Sequence, residues 1–312
     1  MRVLITGGTG LIGRAVVNEL ALAGYEVVVL SRNPSSKSSF PSGVKVVGWD
    51  AQTSTGWGHL ADGADAIVNL AGESIAGENF FSLIAKRWTP ARKQLILESR
   101  LQAGNAVLQA VREAKIKPKV VVQASAVGYY GSRKDEELTE FSMPAEDFVA
   151  KICMQWEAST APVEALGVRH VIIRTAGVAM SLEGGAFPFM LLPFRLFVGG
   201  PLGSGKQWFS WVHIQDEARA IRFLIENDAA CGVFNLTAPQ AITNAQLSKI
   251  LGQIMHRPSF IPVPGFALRI LFGEKADILL SSQRQIPMRL RDIGFKFLFP
   301  DIEAALRDLL KK

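Results

Sequence analysis

The sequence predicts an α/β protein built on a doubly wound parallel sheet with helices on both faces, followed by a smaller C-terminal lobe. Three observations support this prediction. Apolar, β-branched runs alternate with stretches of helical periodicity over the first 175 residues. A glycine-rich turn joins the first run to the first helical stretch. After residue 175 glycine-rich loops separate short elements, so we expect a lobe there that covers the substrate.

The opening turn predicts a binding site for a pyrophosphate. It lies between a short buried strand at residues 3–5 and a helix that ends near Gly24. Gly7 permits a tight turn, Gly10 removes a Cβ where backbone approaches phosphate, and Gly13 lets the helix pack close to the strand. The helix N-terminus presents unpaired N–H groups to the phosphates. Glycine turns also have purely structural uses, but this strand and helix context favours a dinucleotide-binding Rossmann fold.

The second predicted strand, residues 26–30, ends on residues that favour NADP(H) over NAD(H). In NAD-preferring proteins an acidic residue near this point binds the ribose 2′-OH. Here Ser31 and Arg32 follow the strand, and a guanidinium can form a fork with a 2′-phosphate while the serine donates to it. Lys37 adds positive charge nearby. The alternative is an ordinary exposed arginine after a strand.

Four further apolar runs complete the predicted sheet, at residues 44–50, 66–72, 119–125 and 168–174. Helices are predicted over residues 91–114 and 146–160. Because ligands of such sheets lie outside the C-terminal strand ends, the residues there are site candidates. Asp50 is placed to meet adenine, Ala71 and Gly72 let backbone pass under the middle of the cofactor, and Ser125 ends the fifth strand.

Two domains follow from this pattern. We expect residues 1–175 to form the NADP-binding Rossmann domain, with part of 208–240 returning to it, and residues 176–312 to form a smaller mixed lobe. Within that lobe the sequence predicts a strand at 233–237, helical stretches near 244–256 and 264–281, and a final helix from about 301.

Composition excludes several classes of protein. The net charge of +6 is spread along the chain, which suits an anionic small ligand and argues against nucleic acid as a partner. No apolar run reaches the ~18 residues of a membrane helix, and the first strand leaves no room for a signal peptide, so we expect no membrane partner and a cytoplasmic location. Two cysteines, Cys153 and Cys231, provide no disulfide framework and no metal spacing.

With these motifs in place, the chain resembles the extended short-chain dehydrogenase/reductase superfamily, and within it the atypical branch called the epimerase family. The resemblance covers essentially the whole chain. Its most specific stretch is LLPFRLFVGGPLGSGKQWFSWVHIQD at residues 191–216, and a small C-terminal module of the family corresponds to about 259–307. Further landmarks are TGGTGLIG, SR, NLAGE, SAVGYYG, WE, NLTAP and PVPGFALRILFGE.

The resemblance implies that NADP(H) is the cofactor. It implies that the glycine turn contacts the pyrophosphate and that residues after the second strand contact the 2′-phosphate. It also implies contacts with the middle of the cofactor and a contact from the backbone near Val178. The residues are Gly7, Gly10, Leu11, Ile12, Gly13, Ser31, Arg32, Leu70, Ala71, Arg100 and Val178. From the residues alone, Arg100 looks like part of a solvated helix face.

The resemblance also implies a catalytic set that this chain lacks in part. The superfamily uses a serine at the end of the fifth strand and a Tyr-x-x-x-Lys pair on the next helix, where the lysine lowers the tyrosine pKa. Ser125 is present, but the two helix positions hold Val149 and Cys153, and we interpret the pair as absent. Lys151 lies two residues from the lysine position, about 200° around the helix.

Several residues are candidates to replace the pair. Tyr130 is our candidate for proton transfer or substrate contact, with Tyr129 beside it, and packing is the alternative for both. His213 is expected to be mainly structural, and Glu73 could be a carboxylate in the cleft. Residues 200–206 spell the start of a Walker A loop but lack its serine or threonine, so we expect a cleft-covering loop.

Two functions therefore remain open on sequence grounds. One is an oxidoreductase or epimerase that acts on a carbonyl or sugar-like small molecule, with Ser125 orienting the substrate oxygen. The other is a non-catalytic NADP(H)-dependent sensor that acts through a partner. A homodimer is the assembly that we consider.

Overall fold

A computed structural model describes residues 1–35, 40–75 and 87–311 of the 312-residue chain, so Lys37 lies outside the described residues. The strands are β1 (Arg2–Thr6), β2 (Glu26–Ser31), β3 (Lys45–Gly48), β4 (Ala66–Asn69), β5 (Val120–Ala126), β6 (Glu137–Leu138), β7 (Arg169–Thr175), β8 (Val178–Met180), β9 (Trp208–Phe209), β10 (Trp211–His213), β11 (Gly232–Leu236), β12 (Ile242–Thr243) and β13 (Arg284–Gln285). The α-helices in the described ranges are α1 (Leu11–Leu22), α2 (Pro90–Glu113), α3 (Phe148–Thr160), α4 (Phe187–Arg195), α5 (Ile214–Glu226), α6 (Asn244–Met255), α7 (Gly265–Phe272), α8 (Ala276–Leu280), α9 (Met288–Asp292) and α10 (Ile302–Leu310).

Seven parallel strands form the central sheet in the order β11-β7-β5-β4-β1-β2-β3. The order reverses at β1, which pairs with β2 on one side and β4 on the other, and this reversal opens a crevice at the C-terminal strand ends. The predicted doubly wound parallel sheet is therefore confirmed.

Alternate residues of each strand supply two cores, one on each face of the sheet. Val3 and Ile5 pack with α1 and α5 on one face, and Leu4 packs with α2 on the other. Both faces of the strands are apolar because helices cover both, as expected for a parallel sheet. This packing fixes the N-terminal ends of the helices relative to the sheet.

The chain after residue 175 contributes to three regions. Strand β11 and helix α5 join the central sheet and its helical layer. Two short strand pairs, β8–β10 and β9–β12, pack with α4, α6 and α10 around a separate apolar cluster. Helices α7 and α8 form a third, smaller cluster. None of the helices in the described ranges is long and apolar enough to cross a membrane.

Two local expectations need correction. The helical stretch predicted over 264–281 is two helices, because Gly273 adopts a left-handed φ of 60° after α7. For the helix predicted over 91–114, the helical spacing of apolar residues also predicts that Leu95 and Ile96 lie on its apolar stripe, yet Leu95 is 48% exposed, while Ile96 is fully buried.

Candidate functional site

The glycine turn after β1 is built as the spacing predicts. Gly7 adopts a φ of 68°, and a Cβ there would lie 2.8 Å from the Leu70 carbonyl carbon. A Cβ on Gly13 would lie 2.2 Å from the Gly7 carbonyl oxygen, so α1 can approach the turn only without a side chain. Gly10 precedes α1 and has more open surroundings, with only the Gly7 oxygen 3.2 Å from such a Cβ. Backbone can therefore approach a ligand at Gly10.

The N-terminus of α1 is available to an anion. The residue before the helix is Gly10, which has no side chain to cap it, and the first turn holds no acidic residue. The N–H groups of Leu11, Ile12 and Gly13 thus keep their donor capacity toward the crevice. A pyrophosphate fits this arrangement, since it supplies the acceptors that the chain does not.

A buried chain of polar side chains lies beneath the turn. The Thr6 hydroxyl donates to the Asn69 amide oxygen at 2.6 Å and accepts from the Ala71 N–H at 3.2 Å. The Asn69 amide donates in turn to Gln123 at 2.8 Å. Since all three side chains are fully buried, these bonds fix the ends of β1, β4 and β5 relative to one another.

Ser31 and Arg32 lie beside the turn, because Thr6 is opposite Leu30 in the sheet. Arg32 is exposed, and no side chain in the described part of the chain pairs with it. The Ser31 hydroxyl accepts from the Asn33 N–H at 3.2 Å and keeps its own proton for a ligand. These two residues fit a phosphoryl group.

Asp50 lies at the same edge but is occupied by its own turn. Its carboxylate accepts from the Gln52 and Thr53 N–H groups, both at 2.8 Å, and from the Thr53 hydroxyl at 2.8 Å. Although partial burial opposes the shift, these hydrogen bonds lower the pKa of Asp50. The predicted adenine contact stays a prediction.

Arg100 is buried under the end of β4 and is not the solvated residue that its helical position suggests. Its guanidinium lies against Gly72, where a Cβ would be 3.1 Å from Cζ, and 4.7 Å from the Trp156 ring. Nη1 donates to the carbonyls of Glu73 and Ile96 at 3.0 and 2.9 Å.

Arg100 forms no direct ion pair in the described ranges, since the nearby Glu73 carboxylate is paired with Arg92, and the Arg100 Nε has no hydrogen-bond partner there. Burial lowers the pKa of Arg100 to about 10, so the group is charged at neutral pH. A buried cation without an anion is costly unless a ligand supplies the missing partner.

Ser125 lies at the end of β5 as predicted, but its hydroxyl is engaged. It donates to the Glu157 carboxylate at 2.5 Å. Glu157 also accepts two hydrogen bonds from Arg174, at 2.8 and 2.9 Å. Although burial opposes the shift, this pairing raises the pKa of Arg174. Ser125 thus has only lone pairs to offer a substrate while this arrangement holds.

Tyr130 is fully buried and belongs to the same network. Its hydroxyl donates to Asn235 at 2.7 Å and accepts from Arg174 at 3.0 Å. Burial raises its pKa to about 12, against the effect of Arg174. This environment favours a structural role for Tyr130. The neighbouring Tyr129 is half-buried, with its ring centroid 3.3 Å from the Arg174 Cζ.

Helix α3 carries no tyrosine, and the positions of the usual catalytic pair hold Val149 and Cys153. The Val149 side chain would be 2.4 Å from a Cβ on Gly128, and Cys153 is buried with its pKa raised by burial to about 11. Lys151 is exposed on the other side, as its spacing predicts.

The sequence also predicts that no tyrosine has a lysine four residues further on, and this expectation is wrong. Tyr130 and Lys134 have this spacing. They do not share an α-helix, however, since Tyr130 ends a 3-10 helix and Lys134 has a φ of 50°.

The remaining candidates have structural partners. Glu73 forms an ion pair with Arg92 at 2.8 Å. His213 accepts from the Gln215 N–H at 3.2 Å, which caps α5. Lys206 is exposed in a loop followed by β9 and not by a helix, so residues 200–206 do not form a Walker A loop.

Val178 begins β8, which pairs with β10, and its N–H donates to the Ser210 carbonyl at 3.2 Å; its predicted cofactor contact stays a prediction. Gly185 lies close to α1, since a Cβ there would be 2.8 Å from Leu11 Cδ2. The loop before α4 therefore passes over the start of α1.

Sequence reasoning missed Glu157, which accepts from Ser125, and Arg174, which pairs with Glu157. It also missed Glu217, a fully buried carboxyl on α5 that accepts from Thr175 at 2.7 Å. Burial raises the pKa of Glu217 to about 8. The sequence did contain a signal for Glu157 and Glu217, since each is a charged residue on the apolar face of a helix.

A switch-point crevice, an uncapped glycine turn and a basic residue after β2 define an extended short-chain dehydrogenase/reductase of atypical site composition. Comparison with known proteins agrees. The chain belongs to the NAD dependent epimerase/dehydratase family, which matches residues 3–237. Residues 263–309 match a domain of unknown function, DUF1731.

Similar proteins cover nearly the whole chain. Epimerase family protein YfhF of Bacillus subtilis is 37% identical over 99% of this chain and 98% of its own. The crystal structure of human epimerase family protein SDR39U1, which was determined with NADPH, has a TM-score of 0.85 and 34% identity over 100% of this chain and 99% of its own. A nucleoside-diphosphate sugar epimerase from Corynebacterium glutamicum has a TM-score of 0.77 and 34% identity, over 99% of this chain and 58% of its own.

Proposed function

We propose that this protein is an NADP(H)-dependent oxidoreductase or epimerase acting on a carbonyl or sugar-like small molecule. One observation carries the proposal: the uncapped N-terminus of α1 and the unpaired Arg32 lie at the same edge of the sheet. The first offers backbone donors to a pyrophosphate, and the second offers a guanidinium to a 2′-phosphate. The NADPH in the human relative supports this choice of cofactor.

Arg100 supplies the fixed positive charge of the site in this proposal. In the superfamily a lysine on the helix after the fifth strand provides such a charge, and here Cys153 occupies that position. The Arg100 guanidinium lies between Gly72 and Trp156, one turn along α3 from Cys153. We infer that its unpartnered Nε serves the cofactor.

The bound nicotinamide would exchange hydride with the substrate. Ser125 would hold the substrate through a lone pair that accepts from a substrate hydroxyl, because its own proton is donated to Glu157. The proton that the substrate oxygen loses on oxidation, or gains on reduction, would be exchanged with solvent, since Tyr130 is buried with its hydroxyl fully engaged.

The second candidate is a non-catalytic NADP(H)-dependent sensor. It is favoured by Val149 and Cys153 at the positions of the usual catalytic pair. General acid–base groups contribute typically 10²–10⁴-fold to rate, so their loss favours binding without turnover. Cofactor occupancy would then alter the contacts of the loop that passes over Leu11.

Calorimetric titration with NADPH and NADH tests the cofactor. We expect Arg32→Ala to weaken NADPH binding by about 10- to 100-fold, as loss of charge-assisted hydrogen bonds predicts, with little effect on NADH. Arg112→Ala, on the exposed end of α2, is the matched control. Equal losses for both nucleotides would contradict the assignment of NADP(H).

Turnover separates the two candidates. The protein with NADPH or NADP⁺ is incubated with carbonyls and nucleotide sugars while nicotinamide absorbance and sugar composition are followed. Conversion supports the enzyme. Tight NADPH binding without conversion of any compound supports the sensor.

A further inference from the structure

Five exposed apolar side chains form a patch on the lobe that follows the Rossmann strands, and we call it the 197–260 patch. They come from the end of α4 and from the segment before α7. Their exposed fractions are 62% for Leu196, 56% for Phe197, 48% for Val198, 78% for Phe260 and 39% for Ile261. Isolated exposed apolar residues are ordinary, but a contiguous group of this kind marks an interaction surface.

The two segments are fixed side by side. The Ile261 N–H donates to the Gly199 carbonyl at 3.2 Å, and the Val263 N–H donates to Pro201 at 2.9 Å. A Cβ on Gly200 would be 2.0 Å from the Ile261 oxygen, so the two backbones are in direct contact. The patch is therefore one continuous surface and not two independent loops.

Phe197 occupies a conformation that favours glycine. Its φ is 63°, and it lies two residues after the end of α4, where the Val198 N–H donates to the Pro193 carbonyl at 2.9 Å. Glycine is the usual residue at this point of a helix end because a Cβ is strained there. A strained, exposed phenylalanine suggests that its side chain is retained for a contact outside the folded chain.

The two chain segments that carry the patch contain basic but no acidic residues, although Arg269 at their end pairs with Asp277 at 3.2 Å. Residues 184–215 and 244–273 contain no aspartate or glutamate, and their basic residues are Arg195, Lys206, Lys249, Arg257 and Arg269. The Arg257 guanidinium lies 4.3 Å from the Phe197 ring centroid. A symmetric pairing of two copies through this patch would bring like charges together, which disfavours a second copy as the occupant.

We propose that the 197–260 patch docks the protein reversibly on an anionic lipid surface. Phe197 and Phe260 would enter the headgroup region while Arg195 and Arg257 meet lipid phosphates. Such binding combines buried apolar area with attraction to acidic lipid. The proposal revises the expectation of no membrane partner and does not depend on the proposed cofactor or reaction.

Vesicle co-sedimentation tests the proposal. The full chain is mixed with vesicles of phosphatidylcholine containing about a third phosphatidylglycerol, and with vesicles of phosphatidylcholine alone. We expect binding to the first only, with about tenfold weaker partitioning for Phe197→Ser/Phe260→Ser. Phe141→Ser removes an equally exposed phenylalanine, 74% exposed, that stands next to Glu140, and should bind as wild type.

A second variant separates docking from folding. Phe197→Gly should raise the melting temperature, because glycine relieves the left-handed strain, and should still weaken vesicle binding. Absence of binding to acidic vesicles, equal binding to uncharged vesicles, or unchanged binding by the double variant would overturn the proposal. A dimer in sedimentation velocity that the double variant abolishes would overturn it in favour of a second copy.

Discussion

Ser125 at the end of β5 donates its hydroxyl proton to the Glu157 carboxylate at 2.5 Å. Glu157 also pairs through both oxygens with Arg174 on β7. Ser125 is thus hydrogen-bonded to a buried ion pair that joins α3 to the sheet. We expect this ion pair to contribute strongly to the stability of the fold.

Glu157→Ala should lower the free energy of unfolding by about 3–5 kcal/mol, because it leaves the Arg174 charge buried without an anion. Urea denaturation measures this change. The control is Glu26→Ala, whose pair with Lys45 is exposed and should cost less than about 1 kcal/mol. Similar losses in the two variants would contradict this interpretation.

Arg100→Met should leave stability unchanged or raise it by up to about 1 kcal/mol, since it removes a buried, unneutralised cation. We expect the same variant to weaken NADPH binding about tenfold or more. Thermal unfolding and calorimetry measure the two effects. Arg112→Met, exposed on the same helix, should change neither. Lost stability with unchanged affinity would assign Arg100 to the fold alone.

Glu217 should make stability depend on pH. Its pKa is raised from 4.5 to about 8 by burial, so the folded state keeps a proton that the unfolded chain releases. The free energy of unfolding should therefore fall between about pH 4.5 and 8, by up to roughly 5 kcal/mol from this group. Glu217→Gln stays neutral and should remove this component. Parallel pH profiles of wild type and variant would refute the prediction.

Gly13→Ala should lower stability by about 1–3 kcal/mol and abolish tight NADPH binding, because the new methyl would meet the Gly7 backbone oxygen at 2.2 Å. Gly265→Ala is the control, since its Cβ would be an ordinary 3.4 Å from Leu280 at the start of α7. Chemical denaturation and nucleotide titration compare the two. Unchanged NADPH affinity in Gly13→Ala would show that the turn is not the phosphate site.

The large sheet was predictable because its strands are buried on both faces and read as continuous apolar runs. Strands β8, β9, β10 and β12 were not, since segments of two or three residues have too few positions to show a period. Helix α5 was also missed, although Ala218, Ile221 and Ile225 follow a helical spacing. The break between α7 and α8 depends on the positive φ of Gly273, which glycine permits but does not require.

For the candidate site, the glycine turn and Arg32 could be anticipated because their chemistry depends on local backbone and on residue type. The burial of Arg100 could not, since it results from Gly72 and Trp156, which are distant in sequence. The same holds for Tyr130, whose hydroxyl is engaged by Asn235 and Arg174. Such contacts are set by tertiary packing and leave no periodic signal.

The pairing of β11 with β7 has a consequence for synthesis on the ribosome. Strand β7 ends at Thr175 and its partner begins at Gly232, so 56 residues lie between the two. At elongation rates of about 5–20 residues per second, the outer edge of β7 emerges roughly 3–11 s before the strand that covers it. During that interval an unpaired apolar edge is open to other nascent chains, and chaperone contact would be most useful then.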